Sequence, residues 1–151
     1  MEVTPRKMNW FFMFKMPSAF FTGVRLKEIN DTSSIVTVKY RWANQNPFNS
    51  MYFAVQSMAA ELTTGALVIK KIHESGRKIS MLVTNHNGNF TKKATGRITF
   101  VCDNGQDIDA AIKRTIETGE GQKIILTSIG KNSDGVQVSA YEFEWSVRVK
   151  A

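Results

Sequence analysis

Between Ala43 and Ile69 the chain runs for 27 residues with a single charged side chain, Glu61. A helix that is apolar nearly all round has to be buried nearly all round, so the rest of the protein must be arranged to cover that segment. Asn49 or Ser50 can cap it. The helix then reads Met51-Tyr52-Phe53-Ala54-Val55, Met58-Ala59-Ala60, Leu62 and Ala66-Leu67-Val68-Ile69. A membrane span is the competing reading. Gln56, Ser57, Glu61, Thr63, Thr64 and Gly65 interrupt the run too often for the ~20 apolar residues a bilayer requires. A buried core helix, and no membrane span, is expected.

The flanks read mainly as strand. Thr4 as N-cap and Pro5 at the first helical position open a short helix to about Lys15, with Met8, Phe11 and Phe12 at helical spacing. Pro17 and Gly23 punctuate. Val24, Leu26 and Ile29 mark one strand, and Asn30-Asp31 a turn. Val36, Val38, Tyr40 and Trp42 alternate with Thr37, Lys39 and Arg41 in a second. After the long helix, Ile79, Met81 and Val83 predict a strand that His86-Asn87-Gly88-Asn89 turns back. Ile98, Phe100 and Cys102 share a face of the next. A second helix is expected from Asp107 as N-cap to Gly119 as stop. Lys123–Ile129 and Gly135–Val149 are the last strands. A bulge near Ser139-Ala140 would bring the even Val136 and Val138 into phase with the odd Tyr141 to Val149.

One domain over residues 1–151, with 1–19 as an N-terminal helical extension, accommodates this order. One antiparallel sheet around one apolar helix explains the α+β pattern better than alternating βαβ units. So small a sheet cannot cover a helix on every side, and an identical chain is the simplest supplier of the missing cover. A homodimer is expected, with pairing of dimers into tetramers left open.

Charge and cysteine exclude little. The formal charge of +7 comes from basic residues scattered as pairs, which reads as a solvated surface more than a nucleic-acid site. One cysteine, Cys102, excludes an internal disulfide and a multi-cysteine zinc site, and no metal is expected. The apolar run Trp10 to Phe14 after Arg6-Lys7 is shorter than the ~7–15 residues of a signal core, so a cytoplasmic protein is expected. His73 and His86 stand alone, as structural histidines do.

Glu61 carries the chemical interest. A solitary carboxylate on a buried helix costs free energy unless it is paired or used, and burial raises its pKa toward that of a general base. It either serves a site, or faces a water-filled gap or a strand lysine. The free N–H groups at residues 52 to 54 and the helix dipole would suit an oxyanion. Eight residues, about 12 Å of rise, separate Phe53 from Glu61. The carboxylate would therefore work on a carbonyl held by the helix start of the other subunit.

Asn46-Pro47-Phe48-Asn49-Ser50-Met51-Tyr52-Phe53-Ala54, continuing to Glu61-Leu62-Thr63-Thr64-Gly65, resembles the helix-start motif of hotdog-fold thioesterases of the phenylacetate-degradation type. Their pattern is Asn, two residues, Gly-Thr-x-His-Gly-Gly, then an acid nine residues after the His. Asn46 matches the Asn, Tyr52 the His, Phe53-Ala54 the Gly pair and Glu61 the acid. Tyr52-Phe53 in place of His-Gly, and the stretch from Asn89-Phe90-Thr91-Lys92-Lys93-Ala94 to Val101-Cys102, are similar to a less characterised branch of the same group. The resemblance spans about residues 20 to 149 and implies a dimeric hotdog fold with hydrolysis of an acyl thioester such as acyl-coenzyme A.

In that reading the Phe53 amide, with Tyr52 or the Ala54 amide, holds the carbonyl oxygen. Glu61 activates water or attacks directly, Asn46 orients the water, and Thr64 either holds it or bonds its own backbone. Lys92, Lys93 and Arg97 are candidates for the phosphates of coenzyme A, which enters as part of the substrate; no separate cofactor is expected. The aromatic N-terminus lines an acyl channel or packs on the sheet. Phe53 stands where the family commonly has Gly, and a bulky ring there favours the alternative, an acyl- or lipid-binding protein without turnover. Nucleic-acid binding rests on net charge alone and is not expected.

Overall fold

A computed structural model describes residues 2–151. Helix α1 (Pro5–Lys15) starts as its sequence dictates, with Thr4 Oγ1 accepting the Lys7 N–H and Pro5 in the first turn. A one-turn helix that the sequence pattern did not indicate, α2 (Pro17–Phe21), follows. Then come β1 (Arg25–Ile29), β2 (Ser34–Lys39), a 3-10 turn (Trp42–Asn44), α3 (Phe53–Ser75), β3 (Ile79–Phe90), β4 (Arg97–Cys102), α4 (Gly105–Thr118), β5 (Gln122–Lys131) and β6 (Gln137–Val149). The six strands form one antiparallel sheet in the order β1-β2-β4-β5-β6-β3. The α+β expectation holds in this form.

Helix α3 packs on β2, β4, β5 and β6. Its small residues Ala59, Ala60 and Ala66, together with Leu67, enter one apolar cluster with Val36, Val38, Ile98, Phe100 and Leu126. Each fully buried Leu or Val contributes about 1.5–3 kcal/mol of transfer free energy. The polar atoms caught in this core are paired. The Ser34 hydroxyl donates to the Thr63 carbonyl, and Thr63 Oγ1 lies 2.8 Å from Ser128 Oγ. Among the described residues no buried side-chain N or O lacks a partner. No described helix is long and apolar enough to cross a membrane.

Several boundaries differ from expectation, each for a local reason. Helix α3 begins at Phe53 rather than Met51 and runs to Ser75, where Gly76 takes the left-handed conformation at φ 65°. Asn49, one of the two expected caps, has φ 58° and belongs to the preceding loop. Strand β2 stops at Lys39. Asn44 accepts the Arg41 N–H and donates to the Lys39 carbonyl, turning the chain so that Trp42 faces solvent instead of the core. The cap of α4 is Asn104, not Asp107.

His86–Asn89 does not turn the chain. These residues lie in β3, opposite Phe143 to Ala140 of β6. Gly88 is required there because a Cβ would stand 2.7 Å from the Tyr141 ring. The expected bulge falls one residue earlier: Gly130 and Lys131 pair with Ser139 and Gln137, leaving Val138 as the extra residue.

Candidate active site

The loop before α3 is held by Asn46. Its side-chain oxygen accepts the Phe48 N–H at 2.9 Å, and its amide nitrogen donates to Ser50 Oγ at 3.0 Å and to the Met51 carbonyl at 3.3 Å. The Tyr52 N–H donates to the Asn44 carbonyl, so it is already used. Tyr52 is the helix N-cap, in extended conformation and without a side-chain cap bond. The N–H groups of Phe53 and Ala54 are then the first of the helix with no acceptor four residues back, and no other acceptor takes them among the described residues. Of the amides expected to be free at 52 to 54, two are.

These amides open beside a groove of about 480 Å³ lined by Phe48, Tyr52, Phe53, Gln56, Phe90, Lys92 and Lys93 among others. The rings meet edge to face, Tyr52 with Phe53 at 5.0 Å and Phe53 with Phe90 at 6.3 Å. Lys93 Nζ donates to the Phe48 carbonyl at 3.1 Å. Arg97 does not line this groove; it opens β4, with its guanidinium 3.4 Å from Thr37 Oγ1. Gln56, in sequence only an interruption of the apolar run, also lines the groove. It is buried one turn into α3 and accepts the Ser139 hydroxyl at 2.9 Å. An uncharged amide in an apolar run gives no signal until the fold sets it in the groove wall.

Glu61 lies two turns further along α3. Its Oε1 sits beside Gly65, where a Cβ would stand 3.2 Å from it and 3.3 Å from the Trp145 ring. Gly65 thus makes room for the carboxyl and the indole together. No described side chain pairs with the carboxyl, so of the alternatives open to it the strand lysine is the one not found. Burial alone pushes its pKa up to about 7. Thr64 donates its hydroxyl to the Glu61 carbonyl at 2.8 Å and accepts the Trp145 indole N–H at 2.9 Å. Of the two roles expected for Thr64, its hydroxyl is in the backbone-bonding one.

His86 and Cys102 have the structural surroundings expected of them. His86 stacks on Phe143 at 5.6 Å. Cys102 is buried in β4, and burial pushes its thiol up to about 11, far from thiolate chemistry.

Solved structures share this architecture. A protein of unknown function from Pseudomonas aeruginosa, described as a probable thioesterase, superposes with a TM-score of 0.82 at 19% identity, covering 97% of each chain. A protein of unknown function from Chlorobaculum tepidum gives 0.84 at 17% identity, covering 97% of this chain and 94% of its own. A thioesterase from Haemophilus influenzae gives 0.73 at 14%, covering 99% and 93%. At these identities the likeness establishes the fold, a hotdog-like topology shared with structures described as thioesterases. No curated protein matches the chain. The family model described as a domain of unknown function, DUF4442, matches residues 4–147, and the chain belongs to that family.

Proposed function

We propose that the protein is a hydrolase of acyl thioesters, with acyl-coenzyme A as the substrate, acting as a homodimer with two sites across the interface. The observation that carries this reading is the unpaired Glu61 carboxyl, held by burial near neutrality on the same helix whose start offers two free N–H groups in an aromatic groove. Eight residues of helix place these halves about 12 Å apart. One subunit's carboxylate therefore serves the groove of the other.

The free edge of β3 supports pairing of this kind. Met58, Ile69 and Ile72 of α3 and Ile79, Met81 and Val83 of β3 are only partly covered within one chain, as expected of a face that a second copy completes.

In the reaction, water gives a proton to Glu61 as its oxygen bonds the acyl carbon. The carbonyl oxygen becomes an oxyanion held by the Phe53 and Ala54 amides. The carbon–sulfur bond then breaks, and Glu61 returns the proton to the departing thiolate. Glu61 attacking the carbonyl directly, through an anhydride that water then opens, uses the same geometry. Tyr52 stands at the same helix start and its hydroxyl serves as an additional donor. Lys92 and Lys93 at the groove wall suit the phosphates of coenzyme A. Asn46, with its amide committed to the loop, acts by positioning the helix start.

Acyl binding without turnover is the second reading, favoured by the exposed Phe53 ring at the groove. A panel of acyl-coenzyme A thioesters, assayed by release of free thiol, separates the two. Hydrolysis that is lost in Glu61→Gln while binding persists supports the enzyme; a wild type that binds and never releases thiol supports the binder.

A further inference from the structure

The outer face of α1 is apolar where a helix in water is ordinarily polar. Met8 and Phe12 pack inward. Trp10 and Phe14, one turn apart and stacked at 6.3 Å, are 58% and 71% exposed. Helix α2 adds Phe21, 66% exposed. The 3-10 turn that carries Trp42, 84% exposed, is pinned to the end of α2, where Arg41 donates to the Phe21 carbonyl at 2.8 Å and Asn44 to the Thr22 carbonyl at 2.9 Å. A large exposed apolar patch marks an interaction site.

The charge around it is mainly of one sign, with Glu2 and Glu28 at the ends of the segment. From Val3 to Lys27 the chain carries Arg6, Lys7, Lys15, Arg25 and Lys27 and no Asp or Glu. A crevice of about 310 Å³ beside Trp10 and Phe20 is walled by Arg6 and Arg25. Bulky rings set among cations, on a helix that cannot cross a bilayer, match the physics of a surface-bound amphipathic segment.

We propose that the α1–α2 face docks on an anionic lipid surface, with Trp10, Phe14 and Phe21 seated at the boundary of headgroups and acyl chains and the basic side chains against lipid phosphates. A second copy of the chain fits this face poorly, because a two-fold interface sets the same patch against itself and opposes cations with cations. Single-stranded nucleic acid stacks its bases on aromatics along a basic groove, whereas these rings stand on the outward face of a helix. The inference is independent of the hydrolase reading.

The test is flotation of the full chain with phosphatidylcholine vesicles and with mixed phosphatidylcholine–phosphatidylglycerol vesicles. Salt-sensitive binding to the mixed vesicles alone is expected. Joint Trp10→Ser, Phe14→Ser and Phe21→Ser substitution should weaken it roughly tenfold or more, with circular dichroism and melting unchanged. Arg6→Glu with Lys7→Glu should weaken it while every aromatic ring stays in place. The proposal is overturned by absence of binding to the mixed vesicles, or by serine variants that bind as the wild type does. A fall in the native mass of the lipid-free serine variants overturns it in favour of a second copy. Retention on single-stranded oligonucleotides, lost with the same substitutions while vesicles are ignored, overturns it in favour of nucleic acid.

Discussion

Trp145 on β6 donates its indole N–H to Thr64 Oγ1 at 2.9 Å, and Thr64 donates its own hydroxyl to the Glu61 carbonyl at 2.8 Å. This chain of bonds ties the helical turn that carries Glu61 to the sheet. Thr64→Val keeps the shape but leaves a buried indole N–H unpaired, a cost of about 1–3 kcal/mol. Urea denaturation should show that loss, and Thr64→Ser should recover most of it. A valine variant as stable as the wild type would remove the tie from the account.

Glu61 makes stability depend on pH in a stated direction. Burial raises its folded pKa from 4.5 to about 7, so between those values the folded chain holds a proton that the unfolded chain has released. Stability from this group is full below about pH 4.5, falls as pH rises toward 7 and is flat above. Glu61→Gln removes the dependence and should be the more stable protein at pH 8, by up to about 3 kcal/mol. Denaturation midpoints of both proteins across pH check this. Hydrolysis should run oppositely, its rate rising through pH 7 as the carboxyl ionises.

Gly88 faces the Tyr141 ring, whose hydroxyl lies 3.0 Å from Ser57 Oγ on α3. Gly88→Ala forces a methyl group into that ring and should cost about 1–3 kcal/mol. Thermal melting measures it, and a Gly88→Ala, Tyr141→Leu pair should recover part of the loss.

Met81, on the edge strand β3, is partly buried and lines a groove with Ile69 and Ile72 of α3. Met81→Asp sets a charge on the face proposed to pair. Sedimentation should find a monomer, and thiol release should fall with it because each site needs two subunits. A variant that stays dimeric and active would place the interface elsewhere.

The long apolar helix, the Thr4-Pro5 cap and the Gly119 stop show how far local chemistry reaches, because each depends on neighbours a turn away. The long helix runs past Ile69 to the Gly76 stop because Lys70 and Lys71, charged in sequence, are buried in the fold and paired with Asp31, Glu74 and Asp109. Asn87-Gly88 misleads for the opposite reason: turn residues sit mid-strand because Tyr141, more than fifty positions later, requires an empty place opposite. Period-two alternation carries Trp42 into a strand that Asn44 has already ended by bonding back to Lys39 and Arg41. In the site, Glu61 is conspicuous as the lone charge of its helix, whereas Gln56 gives no such contrast. Arg97 is a phosphate candidate on charge alone, and charge does not say which end of a strand meets the groove.

The central claim is that Glu61 of one subunit acts at the helix start of the other, and mixed dimers test it most directly. Phe53→Pro removes the amide while keeping a first-turn residue that helices accept, after a Tyr52 already extended at ψ 133°. Glu61→Gln and Phe53→Pro homodimers should each be inactive. Unfolded together in equal amounts and refolded, they should recover about a quarter of wild-type thiol release, since half the dimers are mixed and each mixed dimer holds one intact site. No recovery, with mixed dimers confirmed by mass spectrometry, would place both groups in one chain and contradict the account.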